Sequence, residues 1–317
     1  MTNYDVIGDI HGEYDAVVAL LMALGYRDTG GAWRCSGRQA VFVGDLIDRG
    51  KQQVEVLTLV QRMVDADTAQ VVMGNHEFNA IGWITDTGRL DDEGRPMFAR
   101  DHYEKDQKNR KQHEEFLAQV VEGSSLHSEL VDWFRTLPMW LDLGGVRVAH
   151  ACWHDGSIER LAAASLDDVV LAPDGDSLNE ALEFVLKGPE IDLGEFKFVD
   201  PSGHIRSEAR VRWWAPGAHT LRTAAEIPHG ALAPNGEPLG ELPDTPIDRG
   251  RYPSAPTEIP VLYGHYWRPG HKEEPSIDEG GMSACLDWSV AKGGPLVAYR
   301  WEGEPILTSD HLVAVRP

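Results

Sequence analysis

"VFVGDLIDRG", residues 41–50, starts as an apolar run and ends in two aspartates, an arginine and a glycine. Its apolar half has two counterparts nearby, "YDVIGD" at 4–9 and "AQVVMGNH" at 69–76, and all three read as short buried strands. Between the first two, from Glu13 to Leu24, Val17, Leu20, Leu21 and Leu24 recur at the spacing of one helix face. After the second, Val56, Leu59, Val60, Met63 and Val64 do the same. Strands alternating with helices able to cover a sheet predict an α/β architecture.

Further along, "GVRVAH" and "IPVLYGH" read as strands, "SACLDWSV" and "GGPLVAYRW" as a closing pair, and "PILTSDHLVAVRP" as an added edge. Residues 78–140 change character, with the charged "DHYEKDQKNRKQHEEF" and the amphipathic "LHSELVDWFRTLPMWL". They predict a helical insert whose charge run is a solvated face. Residues 227–260 are rich in Pro and Gly, which predicts a long surface loop. The whole chain, 1–317, is expected to form a single domain around these additions.

The strand ends carry the chemistry. The apolar runs finish at Asp9, Asp45, Asn75, His150 and His265, and His11 lies two residues beyond Asp9. Four of the five terminal residues follow glycine and the fifth follows alanine, which leaves room for backbone near a crowded centre. In a sheet whose strand ends share one edge these side chains converge. Six donors exceed the four of a closed structural site, and the Asp45 carboxylate has an oxygen for each of two ions, so the expectation is two divalent metals. Carboxylate, amide and imidazole without thiolate suit Mn²⁺, Fe or Zn²⁺. In "GDLIDRG", Arg49 is placed to bind a phosphate oxygen and Asp48 to orient His76, the expected general acid. The second "IDRG", at 247–250, has no apolar run before it and reads as ordinary loop.

Composition narrows the partners. The 51 acidic residues against 29 basic ones give a formal charge of −22, which disfavours extended nucleic acid and leaves a compact phosphorylated molecule as the expected substrate. Three scattered cysteines without CxxC spacing suggest no disulfide framework and suit a reducing cytoplasm. The acidic and histidine-bearing start argues against a signal peptide, and no apolar run approaches the ~20 residues of a membrane span.

"GDIHG" (8–12), "GDLIDRG" (44–50) and "GNHE" (74–77), followed by His150 and His265, resemble the signature blocks of the calcineurin-like metallophosphoesterases. The similarity is to the phosphoprotein-phosphatase type, which includes bacterial diadenosine tetraphosphate hydrolases. It implies a β-sandwich flanked by helices, with Asp9, His11 and Asp45 on one metal and Asp45, Asn75, His150 and His265 on the other. It also implies a metal-bound hydroxide attacking phosphorus while His76, paired with Asp48, protonates the leaving group. Mn²⁺ is the expected metal, with Fe and Zn²⁺ as alternatives. "HACW" at 150–153 and "GHYW" at 264–267 depart from the protein-phosphatase pattern. That favours a small substrate such as a dinucleoside polyphosphate over a serine/threonine phosphoprotein; a non-catalytic phospho-ligand sensor is the competitor from another class. For a second phosphate-binding arginine the candidate is Arg212, with Arg210 and Arg222 competing. Trp213, Trp214, Tyr266 and Trp267 are candidates for stacking a base, or for the core.

Overall fold

The computed structural model describes residues 3–104, 107–201 and 203–316; Lys105 and Asp106 of the charged run, and the ends of the 1–317 unit, lie outside the described residues. The chain opens with β1 (Asn3–Ile7), α1 (Tyr14–Ala23), a hairpin of β2 (Arg27–Thr29) and β3 (Ala32–Arg34), β4 (Arg38–Phe42), α2 (Gln53–Asp65), β5 (Ala69–Val71) and α3 (Asn75–Ile84). Next come the hairpin β6 (Asp86–Leu90) and β7 (Pro96–Phe98), helices α4 (Lys108–Val120) and α5 (Ser125–Phe134), and strands β8 (Trp140–Asp142) and β9 (Arg147–Ala149). A third section holds α6 (Asp155–Ala162), α7 (Leu166–Val170), α8 (Ser177–Lys187), β10 (Glu190–Asp192), β11 (Phe198–Val199), β12 (Ile205–Arg206), β13 (Glu208–Val211), α9 (Leu221–Ala224) and β14 (Ala225–Glu226). The chain closes with β15 (Val261–Tyr263), β16 (Ser283–Cys285), β17 (Leu296–Trp301) and β18 (Leu312–Val315).

Two sheets face each other. One has the order β18-β17-β1-β4-β5, the other β16-β15-β9-β8. The apolar runs of the inner strands are continuous because both of their faces are buried, whereas the edge strands β18 and β8 are half-exposed. Along β4 and just past it, Ala40 and Phe42 point to the helices with Ile7, while Val41 and Val43 point between the sheets with Val6, Val148 and Leu262. This period-2 alternation makes the molecule a sandwich covered by helices on one side. Each fully buried Val or Leu contributes roughly 1.5–3 kcal/mol to that arrangement.

"SACLDWSV" and "GGPLVAYRW", expected as a closing pair, separate: β16 pairs parallel with β15, and β17 antiparallel with β1. The reason is packing on both faces of β17, where Val297 and Tyr299 fill the inter-sheet core and Leu296 and Ala298 the helical one. Residues 78–140 carry the β6–β7 hairpin as well as α4 and α5. Helix α4 buries His113, Phe116, Leu117 and Val120, a face at i, i+3, i+4, i+7, and Phe116 and Val120 join the core under α1 and α2. Residues 227–260 contain one 3-10 turn, Arg249–Arg251, and no longer helix. No helix among the described residues is long and apolar enough to cross a membrane.

Candidate metal centre

The ends of β1, β4 and β5 in one sheet and of β9 and β15 in the other open toward one edge. There the backbone leaves the strand geometry. Among the described residues nine non-glycine positions have positive φ, and five of them are His11, Asp45, Asp48, Arg49 and His265. Such conformations persist only where surroundings enforce them. Glu77, the last residue of "GNHE", is one enforcer: its buried carboxylate accepts from the amides of Asp45 (2.9 Å), Leu46 (2.8 Å) and Gly74 (2.9 Å). Gln53 is another, accepting from the Asp48 amide (2.9 Å) and donating to the Gly50 carbonyl (2.8 Å). Glycine is required where these loops touch: a Cβ at Gly264 would collide with the Asp9 carboxylate, and one at Gly74 with that of Asp45.

Asp45 stands at the middle. Its Oδ1 lies 3.3 Å from His150 Nε2, and its Oδ2 lies 3.6 Å from His11 Nε2 and 3.8 Å from His76 Nε2. Asn75 Oδ1 is 3.1 Å from His150 Nε2. Two groups of donors with metal-holding geometry result, His11–Asp45–His76 and Asp45–His150–His265, and Asp45 belongs to both. Asp9 is buried at the same edge and accepts the His265 backbone amide (3.1 Å).

Three observations fit this donor set to cations. His11 and His150 donate Nδ1–H to the Ile47 and Val43 carbonyls (2.8 and 2.7 Å), which fixes the tautomer and aims each Nε2 at Asp45. His11 Nε2 and His265 Nε2 are buried without any hydrogen-bond partner, a costly state unless a ligand completes it. And five carboxylates, Asp9, Asp45, Asp48, Glu77 and Asp287, are each at most 2% exposed, a concentration of acid that calls for positive charge.

The electrostatics follow from burial and neighbours. Burial, reinforced by the Arg49 cation, holds His11 well below the usual histidine range, and burial with Arg210 does the same to His265, so both keep a free lone pair. Burial also acts on His150, but the Asp45 carboxylate reverses it and raises that imidazole to about 10. Asp45 is lowered well below the carboxylate range, its burial outweighed by His150, His76 and His11. Asp9 is raised, by burial and then by Asp287.

Behind these donors sits a second arrangement. Asp48 accepts from His76 Nδ1 (2.5 Å) with one oxygen and from His113 Nδ1 (2.7 Å) with the other. His76 Nε2 faces the metal edge, 3.5 Å from Gln112 Nε2. Gln112 also receives a bond from Arg100 (2.8 Å), whose guanidinium burial pulls down to about 10. Residues 78–140 therefore reach the site, through His113, Gln112 and Arg100.

Of the predicted residues, Asp9, His11, Asp45, Asp48, Asn75, His76, His150 and His265 gather at this edge, with Arg49 beside them. Arg212 does not: its side chain is 43% exposed and paired with Glu226 (2.5 Å). Arg222 pairs with Glu241 at the surface. Arg210 is the arginine at the site, donating to the His265 carbonyl (3.2 Å). Trp213, Trp214 and Tyr266 are core residues, at 0%, 6% and 2% exposure, whereas Trp267 is half-buried. Glu77, His113 and Asp287 were missed.

The sequence pattern of the calcineurin-like phosphoesterases matches residues 3–226, which is most of the chain. The chain belongs to the calcineurin-like phosphoesterase family. Among its relatives, the asymmetrical bis(5'-nucleosyl)-tetraphosphatase PrpE of Halalkalibacterium halodurans is 47% identical over 74 residues, 23% of this chain and 30% of that protein. The symmetrical bis(5'-nucleosyl)-tetraphosphatase of Cronobacter sakazakii is 25% identical over 314 residues, 97% of this chain and 94% of that one. A cold-active protein-tyrosine phosphatase of a Shewanella species aligns with 99% of this phosphoesterase chain and 80% of its own, with 16% identity and a TM-score of 0.49. The match to the PrpE proteins is short, and the chain spans less than a third of the length of these relatives.

Proposed function

We propose that this phosphoesterase hydrolyses phosphate esters with two divalent cations, Mn²⁺ being the metal chosen for an oxygen- and nitrogen-only donor set, and that its substrates are small phosphorylated molecules of the nucleotide polyphosphate class. The observation that carries the reading is Asp45, a single buried carboxylate belonging to both donor groups, with the unpartnered Nε2 atoms of His11 and His265 on either side. Asp9, His11 and Asp45 would hold one ion, and Asp45, Asn75, His150 and His265 the other. When bound, the ions supply an activated water and Lewis acidity toward a phosphoryl oxygen.

The chain's own residues do the rest. Arg49 and Arg210, the two arginines at the edge, bind the non-bridging phosphoryl oxygens. His76, held through Nδ1 by Asp48, hands a proton from Nε2 to the leaving oxygen. His113 holds the other oxygen of Asp48 and so fixes the direction of that pair. The substrate class draws support from the tetraphosphatase relatives and from the net charge of −22, which repels long anionic polymers. We further propose that 1–317 works as one catalytic unit, with 78–140 an insertion that completes the site and 227–260 a surface loop. The three free cysteines suit a reducing, cytoplasmic setting.

The test is turnover of p-nitrophenyl phosphate and of diadenosine tetraphosphate by protein stripped with chelator and then reloaded. Turnover that vanishes on stripping and returns with Mn²⁺ is the expected result. Tight binding of phosphorylated ligands with no turnover under any metal would make the protein a sensor instead. A kcat/KM clearly higher for phosphoserine peptides would keep the chemistry and replace the substrate class.

A further inference from the structure

Beside the metal edge lies a cavity of about 600 Å³, and its wall is drawn from two stretches, between Glu190 and His229 and between Tyr266 and Lys292. Trp267, two residues past His265, lines the cavity and lies against Arg49 of the metal loop. Three cations converge on its indole: Lys292 Nζ at 4.0 Å from the ring centroid, Arg49 at 5.3 Å and Arg210 at 5.8 Å. Among the described residues, none of the three makes an ion pair within 4 Å. Their neighbours behave otherwise: Arg212 is paired with Glu226, Arg206 with Asp200 and Arg268 with Asp278.

Like charges gathered with no carboxylate in close ion-pair contact repel one another, and an indole face compensates each by only about 0.5–2 kcal/mol; the acids that act on them, Asp287, Glu190 and Asp200, do so from beyond 4 Å. Although Lys292 reaches solvent as a residue, desolvation of its ammonium and then the Arg49 cation push its pKa down. The buried Asp287 carboxylate is shared among Arg49, Arg210 and Lys292 and makes a close ion pair with none of them. The cluster is therefore completed by an anion from outside. Since cations occupy the faces of Trp267, a stacked base is a poor occupant there. Arg49 belongs to the metal loop, whereas Lys292 and Arg210 line the cavity. One phosphoryl group at the metals can engage Arg49 and Arg210, but Lys292 is left for a phosphate joined to it.

We infer that Lys292, held over Trp267 beside Arg210, forms a distal phosphate subsite, so that the protein selects substrates carrying two or more linked phosphates, with the remainder of the molecule directed into the cavity. This rests on the phosphoesterase reading above and adds to it the groups that choose among phosphates. Lys292 is exposed and lies outside the donor groups, which makes it the residue to change.

The experiment compares K292Q and K292R with the unaltered protein on diadenosine tetraphosphate and p-nitrophenyl phosphate, with Mn²⁺ in fixed excess. K292Q should lower kcat/KM for the tetraphosphate about tenfold, mostly through KM, and that for the monoester less than about twofold; K292R should retain most of the preference. Equal losses on both substrates, or none on the tetraphosphate, would overturn the subsite. If the unaltered protein turns over neither substrate, the phosphoesterase reading fails and the subsite is judged separately, by calorimetric titration with inorganic tripolyphosphate and orthophosphate. There the inference requires tighter binding of tripolyphosphate, weakened about tenfold in K292Q, and fails if the variant binds both as the unaltered protein does.

Discussion

The tetrapeptide "IDRG" occurs at 47–50 and at 247–250, and the two copies share nothing but their letters. In the first, Asp48 is 1% exposed and faces two imidazoles, and Arg49 is turned to positive φ beside the metal edge. In the second, Asp248 accepts the amide of Gly250 (3.0 Å) and caps a 3-10 turn, while Arg249 donates to the Pro253 carbonyl (3.1 Å). What separates them is support: a strand delivers the first copy, Gln53 pins it from below and Glu77 ties the loop before it to the start of α3. A motif has chemistry only where the fold removes its local hydrogen-bonding alternatives.

The comparison breaks most easily at Asp45, which the first copy has two residues ahead of it and the second lacks. Asp45→Asn should reduce kcat/KM about a thousandfold or more and lower bound metal, because one substitution weakens both donor groups. Unchanged metal content, measured by elemental analysis alongside the rate, would remove Asp45 from its shared position. Next come the paired arginines. Arg49→Ala should cost roughly 2–4 kcal/mol of transition-state binding, and Arg249→Ala should stay within about 0.5 kcal/mol in both kcat/KM and stability. Comparable losses would mean the second copy takes part.

The partner of Asp48 sharpens the contrast by leaving group. His76→Ala should slow an alkyl phosphate by about 10²-fold or more while affecting p-nitrophenyl phosphate far less, since nitrophenolate leaves without a proton. A uniform loss across leaving groups would assign His76 to holding metal instead. A smaller effect concerns pH. In the metal-free protein the His150 proton is held up to about 10 by Asp45 and must depart before Nε2 can bind an ion. Mn²⁺ affinity, followed by calorimetry, should thus rise with pH above neutrality, by up to about tenfold per unit, and level off near 10. Affinity independent of pH would put His150 outside the ligand set.

How much of this was legible in the sequence depends on whether a signal was local. The strand ends were, since period-2 burial and the following Asp, Asn or His sit in adjacent letters. His113 was also legible in principle: with Phe116, Leu117 and Val120 it makes an apolar helical face, masked by the charges around it. Asp287 follows the short strand β16 in the same manner as Asp9 follows β1 and Asp45 follows β4. Choosing Arg210 over Arg212 was not legible. The two are spaced to share one face of an extended chain, and Glu226, which the β13–β14 register sets opposite Arg210, turns its carboxylate to Arg212 instead. The pairing of β17 with β1 is equally non-local, because it joins residues nearly 300 apart in the chain.

The positive-φ backbone at His11, Asp45, Asp48, Arg49 and His265 has a consequence for heat resistance. Each of these L-residues sits in a conformation costing about 1–2 kcal/mol that glycine would adopt freely. Arg49→Gly should accordingly melt a few degrees higher than the parent when stripped of metal, even as it loses turnover. A chain kept only for its resistance to heat would drift toward glycine along this loop; one kept for phosphate chemistry tolerates a lower melting point so that aspartate, arginine and histidine can stand where glycine fits best.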